Sequence, residues 1–252
     1  MKSLSFRQVT SGIRSFFLNR YYYLRERISP SKIKTAKEIP IIINNFNRLT
    51  TLLILIEGLT RRGYSNIYII DNNSTYQPLL KYYEECPHKI FRLKENIGFK
   101  ALWKTSIYKL FCNDYYVYTD SDVALIDECP DVFLDYIFAK LKQYKFARKI
   151  GLSLRLDNLP DYYKDKKSVI QWESKYYQNA NQEGLYRAPI DTTFALYRPR
   201  VGLSRSRFIE SYRTPFPYQA EHLPWYNNSD HLNDEEEYYV NHCVTATAWS
   251  SK

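Results

Sequence analysis

IPIIINNFNRLTTLLILIEGLTRRGYSNIYIIDNNS, residues 39–74, is the stretch on which the fold turns. A short β-branched run at 39–43 ends in the polar cluster Asn44, Asn45 and Asn47, the pattern of a buried strand that runs out into a loop. Leu49, Leu52, Leu53, Ile56 and Leu59 then recur at helical spacing until Gly63 supplies a C-terminal stop. A second apolar run at 67–70 ends at Asp71. Strand, helix and strand in succession make a β-α-β unit.

The pattern continues outward, with a helix over about 76–85, a strand at 89–93, a helix over 99–111 and a strand at 115–119. Strands alternating with helices predict an α/β fold whose mostly parallel sheet is covered by helices on both faces. From about Gly151 the alternation is lost. Residues 156–186, rich in Asp, Lys, Tyr and Asn, read as an active-site loop region, and Phe194, Ala195, Leu196 and Tyr197 as a further strand. The tail from Pro215 is dense in aromatics and acids, and no internal repeat is present. The expected organisation is an N-terminal segment at 1–38 followed by one domain at 39–252, in halves of 39–125 and 126–252.

A chain of 252 residues, 44% hydrophobic and 25% charged, can bury one sizeable core, which excludes a disordered protein. Of its net charge of +9, the segment 1–38 carries +7, with nine Lys or Arg against Glu26 and Glu38. In the same segment Phe6, Val9, Ile13, Phe16, Phe17, Tyr21, Leu24 and Ile28 recur at spacings of three and four. That basic amphipathic helix suits an anionic membrane surface, and equally a helix packed on the domain with its charges in water. No helix-turn-helix, zinc-finger or RNA-binding motif accompanies the charge, so no nucleic-acid partner is expected. No run of about eighteen apolar residues and no signal-peptide pattern occurs, so the expected location is the cytoplasm, at the inner face of the membrane. Cys86, Cys112, Cys129 and Cys243 lack metal or redox spacing and read as reduced thiols without disulfides.

In open α/β sheets ligands bind beyond the carboxyl ends of the strands. Four polar segments lie at those ends: 44–48, 71–75, 95–100 and 120–122. Asp120-Ser121-Asp122 offers two carboxylates that can hold a divalent cation. The triplet is short enough to arise by chance, so its place just past a buried strand carries the argument. Asp71 can accept hydrogen bonds from a ligand at the second strand's end or stabilise its own turn. Asn96-Ile97-Gly98-Phe99-Lys100 combines a glycine that lets backbone approach a ligand with a lysine that can meet phosphate, and it also fits an ordinary loop-to-helix junction.

Taken in order, Asn-Asn-Phe-Asn-Arg (44–48), Ile-Ile-Asp-Asn-Asn-Ser (69–74), Glu-Asn-Ile-Gly-Phe-Lys (95–100) and Tyr-Thr-Asp-Ser-Asp (118–122) resemble the nucleotide-binding half of GT-A glycosyltransferases, closest to glycosyltransferase family 2 and its bacterial polysaccharide members. The resemblance covers about residues 39–125. It implies a Rossmann-like GT-A fold and a hexosyltransferase-type enzyme of polysaccharide biosynthesis. Such an enzyme moves a sugar from a nucleotide-sugar donor, with UDP favoured, to a glycan or lipid-linked glycan acceptor with Mn²⁺ or Mg²⁺. The implied donor-binding residues are Asn45, Asn47, Arg48, Asp71, Asn96, Gly98, Lys100, Asp120, Ser121 and Asp122. Asp120, Asp122 and His222 would hold the metal, with His242 as fallback. The Glu-Asp pair typical of inverting members is missing, which leaves Asp191 as first candidate for the acceptor-activating base and Asp161, Asp165 and Glu221 as rivals. The resemblance further implies direct displacement with inversion of the anomeric centre. Trp172 and Trp225 are candidate sugar-stacking platforms. Two alternatives stay open. A sugar nucleotidyltransferase would carry a glycine-rich, basic loop where this chain has Asn-Asn-Phe-Asn-Arg. A non-catalytic membrane or protein adaptor has no use for an intact Asp71, Asp120 and Asp122.

Overall fold

The computed structural model describes residues 6–202 and 210–243. After α1 (Phe6–Ile28) the chain forms β1 (Ile41–Asn45), α2 (Thr50–Arg61), β2 (Ile67–Asp71), α3 (Gln77–Glu85) and β3 (Lys89–Arg92). Two single-turn helices, α4 (Ala101–Lys104) and α5 (Tyr108–Phe111), lead to β4 (Tyr116–Asp120), β5 (Val123–Leu125) and α6 (Phe133–Gln143). The second half holds β6 (Lys149–Gly151), β7 (Ser153–Leu154), α7 (Lys166–Ser174), β8 (Tyr186–Arg187), β9 (Ala195–Tyr197), β10 (Ser211–Arg213), β11 (Gln219–His222) and α8 (Asp234–His242).

The main sheet runs β3-β2-β1-β4-β9-β6-β10-β8, and β5-β11-β7 form a small second sheet. The four strands that the first half contributes to the main sheet are parallel, and β9 then runs antiparallel to both β4 and β6. The expected α/β architecture, a mostly parallel, Rossmann-like sheet with helices on both faces, is therefore the one observed. Alternation along the strands explains why both faces are covered. Ile41, Ile43, Ile69 and Val117 join the core cluster with α2 and α6, whereas Ile42, Ile70, Tyr116 and Tyr118 join a second cluster with Ala101 and Leu102. On α2 the buried stripe is Leu52, Leu55, Ile56 and Leu59, each worth about 1.5–3 kcal/mol when removed from water.

Two expectations need correction. The helix expected over 99–111 is interrupted between α4 and α5, where Thr105 is extended and its hydroxyl bonds back to the carbonyl of Ala101 at 2.9 Å. The region 156–186, expected as loop, contains α7, which buries Val169 and pairs the buried Glu173 with Arg213 at 2.5 Å. In the N-terminal segment, Lys2 and the side chains of Phe6, Arg7 and Val9 lie outside the described residues. No disulfide joins the cysteines.

Candidate active site

β1, β2 and β4 end on one rim because their registers align Asn44 with Asp120 and Asn45 with Asp71. Asp120, the last residue of β4, is held from two sides. The Asn44 amide donates to its Oδ1 at 3.1 Å, and the Thr192 hydroxyl donates to its Oδ2. The Asp120 backbone N–H also donates to the carbonyl of Thr192 at 2.8 Å. Thr192 is there because β9 pairs antiparallel with β4, which returns the 191–192 turn over the end of β4. The same return brings Asp191, whose side chain is exposed, into the electrostatic neighbourhood of Asp120. Burial, and next the charge of Asp122, push the Asp120 carboxyl well above its ordinary range; Asp191 adds to the rise and the two hydrogen bonds oppose it.

Asp122 lies between a guanidinium and an imidazole. Arg48 reaches its Oδ2 at 2.5 Å and forks Glu236 with two further bonds, 2.5 and 3.1 Å, while its guanidinium carbon sits 3.6 Å from the centroid of the Tyr239 ring. Burial alone would lower the pKa of Arg48, but the charges of Asp122 and Glu236 outweigh it and the guanidinium is held raised. On the other side His222 Nε2 is 3.6 Å from the same oxygen. His222 arrives through the second sheet, where it pairs with Val123 on β5. Burial, joined by Arg48 and opposed by Asp122, pulls its pKa below the usual histidine value, so the ring is neutral near pH 7. Its Nδ1 is buried without a hydrogen-bond partner among the described residues. Trp225, 4.7 Å from the His222 ring, is 2% exposed and offers no face for a sugar. Trp172 does remain half-exposed.

Several expected donor residues have their side chains occupied within the rim. The Asn45 amide donates to the carbonyl of Arg48 and the hydroxyl of Tyr83, both at 2.9 Å, and its Oδ1 accepts from Ser121 at 2.6 Å. Asn47, in the left-handed region at φ 51°, is fully buried and accepts the N–H groups of Thr75 and Tyr76, which fixes the entry to α3. Asp71, also fully buried, accepts from the Ser74 N–H at 3.2 Å and from Tyr83 and the half-exposed Arg92, each at 3.4 Å. The Asn96 side chain accepts from the N–H of Gly98 at 2.9 Å. Gly98 has φ 72°, and a Cβ placed there would meet nothing within 4 Å, so the glycine serves the turn and leaves open space above it. Lys100 lies 4.8 Å from the Phe99 ring centroid.

Asp161 is fully exposed and pairs with Lys166 at 2.8 Å; Asp165 directly precedes α7; Glu221 accepts from Asn158 at 2.7 Å. His242 ends α8, stacked on Tyr238. Thr192, Glu235 and Glu236 were not among the expected site residues, and Asn44 was expected only as part of the rim segment 44–48. Asn44 opens the polar cluster that ends β1, and the two glutamates belong to the acidic run 234–237 behind the helix cap Asn233, so both carried a signal. Among the described residues no three His, Cys, Asp or Glu side chains already stand as a metal-holding group.

No family model matches the sequence, and no curated protein matches it. Similar crystal structures include S. aureus TarS 1–349, at 15% identity and TM-score 0.39 over 64% of this chain and 47% of that one. GalNAc-T7 with UDP, GalNAc and Mn²⁺ is similar at 12% identity and TM-score 0.47, over 73% of this chain and 43% of that one. UDP-glucose pyrophosphorylase complexed with UDP-glucose is similar at 13% identity and TM-score 0.40, over 64% and 76%. The chain thus spans less than half the length of the first two, which are GT-A-type glycosyltransferases. The chain has a Rossmann-like α/β fold with Asp120 at the end of β4 and Asp122 two residues beyond it, and these structures are what it is similar to.

Proposed function

We propose that the chain is a metal-dependent glycosyltransferase that moves a sugar from a nucleotide-sugar donor, with UDP favoured, to a glycan or lipid-linked glycan. The observation that carries this reading is the convergence on one rim of Asp120, Asp122, Asp191 and His222, delivered by β4, by the turn before β9 and by β11. A Mn²⁺ or Mg²⁺ ion suits the donor set. The neutral imidazole of His222 lies 3.6 Å from the Asp122 carboxylate, and the Asp120 carboxyl is raised by burial and next by the charge of Asp122, the part that a cation would relieve. Such an ion neutralises a departing nucleoside diphosphate without needing a proton.

The protein's own groups do the rest. Asn44 and Thr192 fix the Asp120 carboxylate, and Arg48, locked by Glu236, keeps a positive charge against Asp122. Lys100, beside the open space above Gly98, meets the donor phosphates. Asp71 reads the base or ribose once Arg92, the most exposed of its contacts, swings away. Asp191, exposed on the rim, accepts the acceptor hydroxyl proton as that oxygen bonds to the anomeric carbon of the donor sugar and displaces the nucleoside diphosphate, which inverts the anomeric centre. A triphosphate-binding nucleotidyltransferase loop is disfavoured at the end of β1, since Asn47 is turned inward and Arg48 is committed to two acids.

The test is a thermal-shift screen of UDP, GDP, CMP and dTDP sugars with and without Mn²⁺. At a hundred times its Kd a true donor adds about 2.7 kcal/mol, enough to raise the melting temperature by roughly 5 °C or more. The rise should need Mn²⁺ and vanish in Asp120→Asn with Asp122→Asn. Asp191→Asn should retain it while losing at least a hundredfold in turnover. A rise that survives the double variant would sink the metal and donor assignment together.

A further inference from the structure

Helix α1 meets the domain with its polar side. Ser15 and Asn19 are 2% and 5% exposed, and Asn19 accepts a bond from the guanidinium of Arg148. Glu26 accepts the hydroxyl of Tyr115 and pairs with Arg198. The opposite side presents Ile13, Phe16, Phe17, Tyr21, Leu24 and Ile28 to water, each about half exposed or more, reaching 64% at Phe17 and 76% at Ile28.

At about 100° per residue these six side chains form one stripe about 22 Å long, with Arg14 and Arg25 along one edge and Arg20 and Arg27 along the other. Glu26 is the only acid in the helix, and it is turned inward, so the outer face carries no negative charge. Surface apolar residues scattered singly are ordinary; a contiguous stripe marks a surface that binds something. Among the described residues no helix is long and apolar enough to cross a membrane.

We propose that this face of α1 docks on an anionic lipid surface, with the apolar stripe in the headgroup boundary and the arginines on lipid phosphates. Charge complementarity selects the occupant. A flat anionic surface engages the arginines of both edges at once, whereas a protein groove covering the stripe would draw them out of water. The polar contacts to Arg148, Arg198 and Tyr115 keep the helix on the domain as it docks, so binding orients the whole molecule. The inference stands independently of the donor reading.

Co-sedimentation of the full chain with vesicles of phosphatidylglycerol and phosphatidylcholine, against phosphatidylcholine alone, tests it. Wild type should partition at least tenfold more strongly onto the anionic vesicles, and salt should weaken binding. Phe17→Ser with Leu24→Ser should reduce binding more than tenfold, and Arg14→Gln with Arg27→Gln about fivefold for each arginine removed. These side chains are exposed, so unchanged thermal melting certifies that the variants remain folded. Equal binding to both vesicle types, or an unaffected Phe17→Ser, Leu24→Ser variant, overturns the proposal. So does an absence of vesicle binding combined with a wild-type dimer in sedimentation equilibrium that the same variant dissolves, which would assign the face to a second copy of the chain.

Discussion

Lys149 shows how much of the rim depends on one side chain beneath it. Its ammonium is buried in β6 and donates to the carbonyl of Ile190 at 2.7 Å and the hydroxyl of Tyr197 at 3.0 Å, tying down the turn that carries Asp191 and Thr192. Burial, opposed by Asp191 and reinforced by Arg213, pulls its pKa down to about 7. In the unfolded chain the value is about 10.4. Between those values the unfolded state holds a proton that the native state has released, so this group makes stability rise with pH from about 7 upward. Below pH 7 both states are protonated and the penalty of the buried charge is fully present. Urea unfolding at pH 7 and pH 9 should give wild type about 2 kcal/mol more of this rise than Lys149→Met; equal rises would show that the lysine is not buried as described. Nothing in the sequence distinguishes this lysine among 36 basic residues, because its burial follows from β6 pairing beside β9. Asp71, Asp120 and Asp122 were legible as rim residues for the opposite reason, since each ends or directly follows an apolar run whose strand character is local.

At the scale of elements, α8 is the piece that the first half's pattern could not announce. Its N-terminal acids reach back across the rim. The Glu235 carboxylate accepts the N–H groups of Leu49 and Thr50 at 3.0–3.1 Å and caps α2, while Glu236 holds Arg48. The two glutamates should therefore separate on substitution. Glu235→Gln removes a charge from a helix N-terminus and should cost about 1 kcal/mol, a fall of roughly 2–4 °C in melting temperature, with no change in stabilisation by Mn²⁺. Glu236→Gln leaves the buried Arg48 with Asp122 as its only ionic partner and should cost more. It should also weaken stabilisation by Mn²⁺, because Arg48 then competes more strongly for the Asp122 carboxylate. Identical responses to Mn²⁺ in the two variants would remove α8 from any part in the site. The second half was hard to read because its strands are two to four residues long and draw their stability from neighbours distant in sequence. Periods of two cannot be recognised in so few positions. The helices of the first half, such as α2 with its i, i+3, i+4 and i+7 stripe, needed no such context.

For the molecule as a whole, the packing of α1 decides how the domain meets its surroundings. The helical period of residues 6–28 was plain in the sequence, but which face packs was not, since apolar stripes ordinarily turn to the core. The contrary signal was there: Ser15, Asn19 and Glu26 lie four and seven residues apart on one side, matched to the buried Arg148 and Arg198. This arrangement reverses the usual mutational profile of an amphipathic helix. Glu26→Gln strips the charge partner from Arg198, whose side chain is 3% exposed, and should cost about 3–5 kcal/mol. Leu24→Gln, two residues before it on the outer face and 55% exposed, should stay within about 0.5 kcal/mol of wild type. Urea midpoints of the two variants, measured without lipid, give the comparison. If Leu24→Gln proves the more damaging, then the helix buries its apolar face in solution and has no stripe to offer a membrane. If Glu26→Gln does, the exposed stripe is the stable resting state of the protein, and its burial is left to whatever surface the molecule docks on.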